Sequence, residues 1–394
     1  MRVGIDVSNF GDGLGGGTAV YLFNTIKALL EIDAELRLTL VCQFRPSEAG
    51  RVVLDALAGP RTTVRWGGLG TTGVPPNAWW YPWHGTVARV AGPVDIFHAG
   101  DFVWPLPEGT PVVASVLDLT TRLFPRYHTV GTRLRGMRKL RWAQRHADRM
   151  ITISEATKRD LVQMCGADPE RIDVTPLARG WTAVPAPDEL RGLAGALRER
   201  LGIRDAPLVL TVGTLEPRKN HARLVHAFEG MGERFAGAHL VLAGQRGWKT
   251  GGLDEVLAAS PARERIHVLG RVSPDELSAL YSTATVFAYP SLYEGFGLPL
   301  LEAMAAGAPV ITSNVSSLPE VAGDAALLVS PTSVEAIRHA IERLLADETL
   351  RADLARRGRV REREFTWRRT AELTLDSYRA AAGGRGGGRG RRPR

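Results

Sequence analysis

Twice along this chain a short apolar run ends in a glycine-bearing loop and passes directly into a segment of helical period. Residues 2–8 lead through the loop 11–17 into 18–30, where Tyr21, Leu22, Ile26, Leu29 and Leu30 recur on one face. Residues 208–213, LVLTVG, lead through TLEPRKN into a helix carrying Leu224, Val225 and Phe228. Further strand-like runs lie at 36–44, 95–98, 111–116 and 150–154. A second series lies at 239–243, 266–269, 286–289 and 309–312. Strands that alternate with helices predict parallel sheets covered by helices. Two such series in 394 residues predict two doubly wound α/β domains in tandem. One intervening helix announces its own start, with Ser273 as N-cap, Pro274 at the first position, and Asp275 and Glu276 in the first turn. Residues 176–187, rich in Pro and Ala, read as the connection between domains. In doubly wound sheets ligands bind at the carboxyl ends of the strands, so the loops after them are where chemistry is expected.

Composition narrows the function classes. Apolar residues at 44% and charged residues at 23% are ordinary for a globular chain. No run approaches the ~20 uninterrupted apolar residues of a membrane span. Asp6 interrupts the first apolar segment, so no secretory leader is expected. Cys42 and Cys165 make neither a disulfide framework nor a zinc spacing, and a reducing, cytoplasmic setting is the expectation. The net charge of +8 comes from 45 Arg and 5 Lys against 42 acids, and falls to +3 without the last twelve residues, GGRGGGRGRRPR. That tail is expected to be disordered, and with no aromatic residue interleaved it does not point to nucleic acid as a partner.

Three local patterns carry chemistry. Gly11, Gly13 and Gly16 fit G-x-G-x-x-G after a strand and before a helix. The next strand ends in Val41-Cys42-Gln43-Phe44, with no acid for a ribose, and a run so rich in glycine meets this spacing readily. A loop that lets backbone approach a ligand explains it better than a dinucleotide site. The second pattern is SLYEGFGLPLLE at 291–302, with Glu294 in a glycine-rich turn and Glu302 eight residues on, near a helix start. Pro299 suits a first helical turn, and the N–H groups of Gly297 and Leu298 would face an anion. Such acids stand roughly 10 Å or more apart, too far for the pair about 5 Å apart of a retaining glycosidase. They fit two acceptors along a hydroxyl-rich ligand, or equally an ordinary helix start favoured by the dipole. The third is Arg218 and Lys219 after the strand 208–213: two adjacent cations before a helix, suited to a diphosphate.

Together these residues resemble the family-4 retaining glycosyltransferases of the GT-B fold. The resemblance rests on GTLEPRKN (213–220), LVLAGQRGWK (240–249) and the stretch 289–331, whose E-x7-E falls on Glu294 and Glu302. GGGTAVY (15–21), DIFHAGDFVWP (95–105) and ADRMITISEATKRDL (147–161) add weaker matches, so that it covers the chain to about residue 380. It implies two Rossmann-like domains facing across a cleft: 1–180 for the acceptor, a linker at 181–204, and 205–364 for the nucleotide sugar. A helix over 365–382 would return to the first domain, and 383–394 would form the tail. The resemblance further implies that Arg218 and Lys219 neutralise the donor diphosphate, Glu294 contacts sugar hydroxyls and Glu302 holds the ribose. Gly213, Gly295, Phe296, Gly297, Leu298, Ser317 and Leu318 would complete the donor site, with Gly16 and Gly17 against the phosphate or acceptor. Transfer would retain configuration. No D-x-D occurs in the chain, and neither metal nor cofactor is expected, cationic side chains taking the ion's place.

One departure concerns the acceptor side. Where the family often has a histidine, this chain reads Ala114-Ser115-Val116-Leu117-Asp118. His98 is then the catalytic candidate from the preceding strand, with Asp118 and Tyr21 as further acceptor contacts. Trp79 and Trp80, in NAWWYPWH, would stack on sugar or sit at a lipid interface. Residues 122–149 hold nine cations against Asp148, as a surface docking on anionic lipid would. The expected partners are a nucleotide-sugar donor, GDP-mannose first and a UDP- or dTDP-sugar second, and a glycan or lipid-linked acceptor. An anionic membrane surface at the inner face of the plasma membrane is a further candidate. The reading from another class is a non-catalytic nucleotide-sugar-binding subunit.

Overall fold

A computed structural model describes residues 1–43, 45–66, 87, 91–100, 109–180 and 186–384. The described chain forms two compact units. The first comprises the described residues of Met1–Pro125, Thr129–Leu177 and Thr366–Arg394, and the second those of Arg126–His128 and Ala178–Phe365.

In the first unit seven described strands form one parallel sheet. They are β1 (Arg2–Asp6), β2 (Arg37–Cys42), β3 (Thr62–Trp66), β4 (Ile96–Ala99), β5 (Val112–Ser115), β6 (Arg149–Thr152) and β7 (Ile172–Val174). Their order is β3-β2-β1-β4-β5-β6-β7, so the direction of winding reverses between β1 and β4. The inner strands bury both faces, which is why they read as continuous apolar runs rather than alternating ones. Phe97, Val112, Ala114, Trp142, Met150 and Leu161 belong to one core cluster. The final helix, Trp367–Gly383, packs on the helix Gly17–Ile32 and against β4 to β7.

The second unit repeats the plan with β8 (Leu208–Val212), β9 (His239–Ala243), β10 (Ile266–Gly270), β11 (Val286–Tyr289), β12 (Val310–Ser313) and β13 (Ala326–Val329). The order β10-β9-β8-β11-β12-β13 puts the reversal between β8 and β11. The helix start read at Ser273 is present as a full capping box. Ser273 Oγ accepts from the Glu276 N–H, and the Glu276 carboxylate accepts from the Ser273 N–H. The stretch assigned to a linker, 181–204, needs correction. From Pro187 to Arg200 it is a helix packed on Pro274–Thr283, and thus a part of the second unit. Proline at its start and Asp188 and Glu189 in its first turn favour a helix over an extended connection.

Among the described residues no helix is long and apolar enough to cross a membrane.

Candidate functional site

Strand order explains why two loops 75 residues apart in sequence meet. β8 and β11 are neighbours at the reversal, so the loops leaving their carboxyl ends, 213–220 and 290–297, stand side by side. Backbone bonds tie them together, since the Leu292 N–H donates to Arg218 O at 2.9 Å. The Asn220 amide reaches across to Pro290 O and Pro331 O at 2.9 and 2.7 Å. Gly213, at φ 142°, and Gly244, at φ 157°, lie so close that a Cβ on Gly244 would stand 1.9 Å from Gly213 O. Only glycine fits that contact.

Arg218 and Lys219 converge on Glu294. Arg218 donates to Glu294 Oε2 at 2.7 Å and to Tyr293 O at 2.8 Å, and Lys219 Nζ donates to Glu294 Oε1 at 2.8 Å. Tyr289 OH donates to the same Oε1 at 2.9 Å and accepts from Lys219 Nζ at 2.5 Å. Glu216 pairs with the other side of the Arg218 guanidinium. All four charged side chains are at most 15% exposed. Burial pushes the Glu294 carboxyl up, but the charges of Arg218 and Lys219 outweigh it and hold the pKa down at about 2. Burial lowers Lys219 despite the opposing pull of Glu294. His221, the next residue into the helix His221–Glu229, is buried, and desolvation with Lys219 nearby lowers its pKa to about 3.

The glycine-rich turn above this cluster is held from beneath. The Glu294 N–H donates to Ser316 Oγ at 3.0 Å, and Ser317 Oγ reaches Glu294 O and Phe296 O at 2.9 and 2.7 Å. Gly297 caps the helix Leu298–Ala306 at φ 119°, with Leu318 Cδ2 3.0 Å from where its Cβ would stand. Gly295, Phe296, Gly297, Ser317 and Leu318 are buried and Leu298 half-buried. Glu302 has a different partner from Glu294: it accepts from Tyr281 OH at 2.9 Å, and burial raises its carboxyl above the usual range. The structure thus gathers Gly213, Arg218, Lys219 and Glu294 with the turn 295–298, and gives Glu302 a separate partner. Glu216 and Tyr289 were not singled out in the sequence. Glu216 lies in GTLEPRKN two residues before Arg218, and Tyr289 heads the stretch 289–331; membership of those stretches is the signal that marks them.

The first unit corrects two assignments. His98, proposed as catalytic, is 1% exposed on β4, with Nδ1 2.7 Å from Tyr378 OH and Nε2 2.7 Å from Ser115 Oγ. Both ring nitrogens are used, and desolvation lowers its pKa to about 4, so His98 is a neutral core histidine. Tyr21, proposed for the acceptor, is fully buried and shares a 3.0 Å hydrogen bond with Ser115, its hydroxyl pushed up to about 12 by burial. Asp118 is exposed, and its Oδ1 accepts from the N–H and hydroxyl of Thr120. Gly16 and Gly17 are exposed at the start of the helix Gly17–Ile32, with open space around each. Trp79 and Trp80 lie outside the described residues. Among the described residues no group of three or more His, Cys, Asp or Glu could hold a metal ion.

These are two doubly wound units, the second with a charged cluster where such sheets bind ligands. The description "Glycosyl transferases group 1" matches residues 195–361, and "Glycosyltransferase Family 4" matches 15–178. O-antigen chain mannosyltransferase B of Escherichia coli is 33% identical over 287 residues, covering 72% of this chain and 74% of that one. The serotype-specific mannosyltransferase WbdA of Escherichia coli is 32% identical over 187 residues, 46% of this chain and 23% of that much longer protein. The crystal structure of Anabaena Alr3699/HepE in complex with UDP and glucose shares the fold, with a TM-score of 0.70 at 18% identity, covering 96% of this chain and 100% of that one. The chain belongs to glycosyltransferase family 4.

Proposed function

We propose that the protein transfers a hexose, mannose from GDP-mannose, to a growing glycan or lipid-linked glycan in cell-surface polysaccharide assembly, with retention and without a metal or other cofactor. The observation that carries this reading is the convergence of Arg218 and Lys219 beside Glu294 at the reversal between β8 and β11. The two mannosyltransferase relatives support the choice of sugar. In this reading the second unit binds the donor and the first the acceptor. Arg218 and Lys219 take up the charge that develops on the departing diphosphate. Glu294 accepts from sugar hydroxyls, Glu302 from the ribose, and the turn Gly295, Phe296, Gly297 and Leu298 with Ser317 and Leu318 presents backbone to the donor. The helix start at Leu298 favours an anion there.

The same reading places the enzyme on an anionic membrane surface at the cytoplasmic face. The helix Val130–His146 carries Arg133, Arg135, Arg138, Lys139, Arg141 and Arg145 with no acid. Val130 and Leu134 on it are 67% and 52% exposed, and Met164 on the neighbouring helix Glu155–Cys165 is 43% exposed. Apolar side chains among cations suit insertion between anionic headgroups. Sedimentation with phosphatidylglycerol vesicles, but not with phosphatidylcholine vesicles, is expected, and Leu134→Asp/Met164→Asp should abolish it. Equal sedimentation of that variant refutes the surface.

The donor is tested by thermal shift with GDP, UDP, dTDP and their sugars, and by release of nucleoside diphosphate during turnover. GDP and GDP-mannose should stabilise the protein, and Arg218→Ala/Lys219→Ala should erase the effect. Stabilisation by UDP or dTDP alone would reassign the donor, and stabilisation without turnover would make the chain a binding subunit.

A further inference from the structure

Glu216 lies beside the site in a position that its own loop does not require. It precedes the 3-10 turn Pro217–Lys219 at the N-cap place, in extended conformation, yet its side chain makes no capping bond to that turn. The carboxylate turns instead to the Arg218 guanidinium two residues on, and it is 4% exposed. Arg218 is thereby held from three sides, by Glu216, by Glu294 and by Tyr293 O. Lys219 is held by Glu294 and Tyr289. Two buried carboxylates thus stand against two buried cations, and the cluster carries no net charge.

That balance matters for a site whose ligand is itself anionic. A diphosphate brought to Arg218 and Lys219 shares them with carboxylates that repel it, so its hold is weaker than the two cations alone would give. Glu294 sits on the opposite loop and touches both cations. Glu216 is tied to Arg218 through two intervening peptide units, so it remains next to the guanidinium wherever Glu294 moves. We propose that Glu216 is a positioning residue of the donor site: it orients Arg218 and tempers the grip of the cation pair on the diphosphate, so that the nucleoside diphosphate product is released. The inference rests on the reading of the second unit as the donor site.

The test is calorimetric titration at fixed ionic strength with inorganic pyrophosphate, GDP, UDP and dTDP, on wild type, Glu216→Gln and Glu216→Asp. Glutamine leaves an acceptor for the guanidinium, and Glu294 and Tyr293 O still hold it, so the charge alone is removed. Losing one carboxylate from a partly screened site should tighten binding of pyrophosphate and of the accepted nucleotide on the order of tenfold. In turnover kcat and the donor KM should fall together, as slower product release requires, while Glu216→Asp stays within about threefold of wild type. A merely structural Glu216 predicts the opposite sign, and unchanged or weaker nucleotide affinity in Glu216→Gln overturns the proposal. If wild type binds none of the four probes, the donor reading itself falls and this inference with it. If wild type binds and the variant is no tighter, only this inference falls. Should Glu216→Gln not fold, Glu216→Ser removes the same charge from a smaller side chain and carries the same expected sign.

Discussion

Glu294→Gln tests the electrostatics of the cluster directly. The carboxyl is about 9% exposed in the side chain, and its pKa is held at about 2 against an ordinary 4.5, because the two cations outweigh the cost of burial. The folded state therefore favours the ionised form, and that preference stabilises the protein by about 3 kcal/mol at pH 7. The sign follows from the direction of the shift. The contribution is fully present above 4.5 and is lost as the pH falls towards 2, so that roughly half of it is left at pH 3. For a unit of this size about 3 kcal/mol corresponds to roughly 6–12 °C in the thermal midpoint. Removing the partner of two buried cations acts in the same direction, since an uncompensated buried charge is costly. Differential scanning calorimetry of wild type and variant at pH 7 and pH 3 measures both quantities. The gap should be wide at pH 7 and about half as wide at pH 3. A variant within 2 °C of wild type at pH 7, on the order of half a kcal/mol, would refute the argument, as would a gap that does not narrow in acid.

Other consequences are equally direct. Tyr378→Phe deprives His98 Nδ1 of its partner inside the first unit and should cost about 1–3 kcal/mol in chemical denaturation, leaving nucleotide-induced stabilisation unaltered. Burial lowers His98 from 6.5 to about 4, so the stability it lends as a neutral group is complete above 6.5 and lost as the pH falls towards 4. The thermal midpoint of His98→Gln should therefore decline less steeply than that of wild type across that window. Gly244→Ala drives a Cβ to within 1.9 Å of Gly213 O and should destabilise the second unit and abolish nucleotide binding together, as read by thermal shift. Gly16→Ala meets open space at φ −147° and should leave the thermal midpoint unchanged, so any loss of turnover in it reports a ligand contact.

What could be read before folding were the features set by near neighbours in the chain. The capping box at Ser273 and Glu276 is closed within four residues, and both of its bonds are present. β9 and β11 begin and end where their apolar runs do, because a strand buried on both faces leaves a continuous apolar signature. Arg218, Lys219 and Glu294 stood out because charge and glycine cluster at strand ends only where something must be bound or turned. The reading was wrong where spacing was silent about partners. His98 looked like a group waiting at a strand end, yet its ring is completed by Ser115 and by Tyr378, 280 residues away. Pro187–Arg200 fell inside the linker 181–204 that the resemblance implied, next to the Pro- and Ala-rich stretch 176–187, yet it is a helix that packs on Pro274–Thr283.

The sequence by itself determined the alternation of strand and helix, the helix starts, and the residues able to carry charge at the strand ends. Those properties follow from bonds and contacts that reach only a few residues along the chain. Tertiary structure alone decided which of those charges meet. Placing β11 beside β8 brings Glu294 onto Arg218 and Lys219, and the turn of the loop before Arg218 brings in Glu216. Placing the last helix beside β4 turns a possible catalytic histidine into a core residue. Electrostatic energy and burial depend on distance in space, and strand order, which the one-dimensional pattern does not contain, sets that distance.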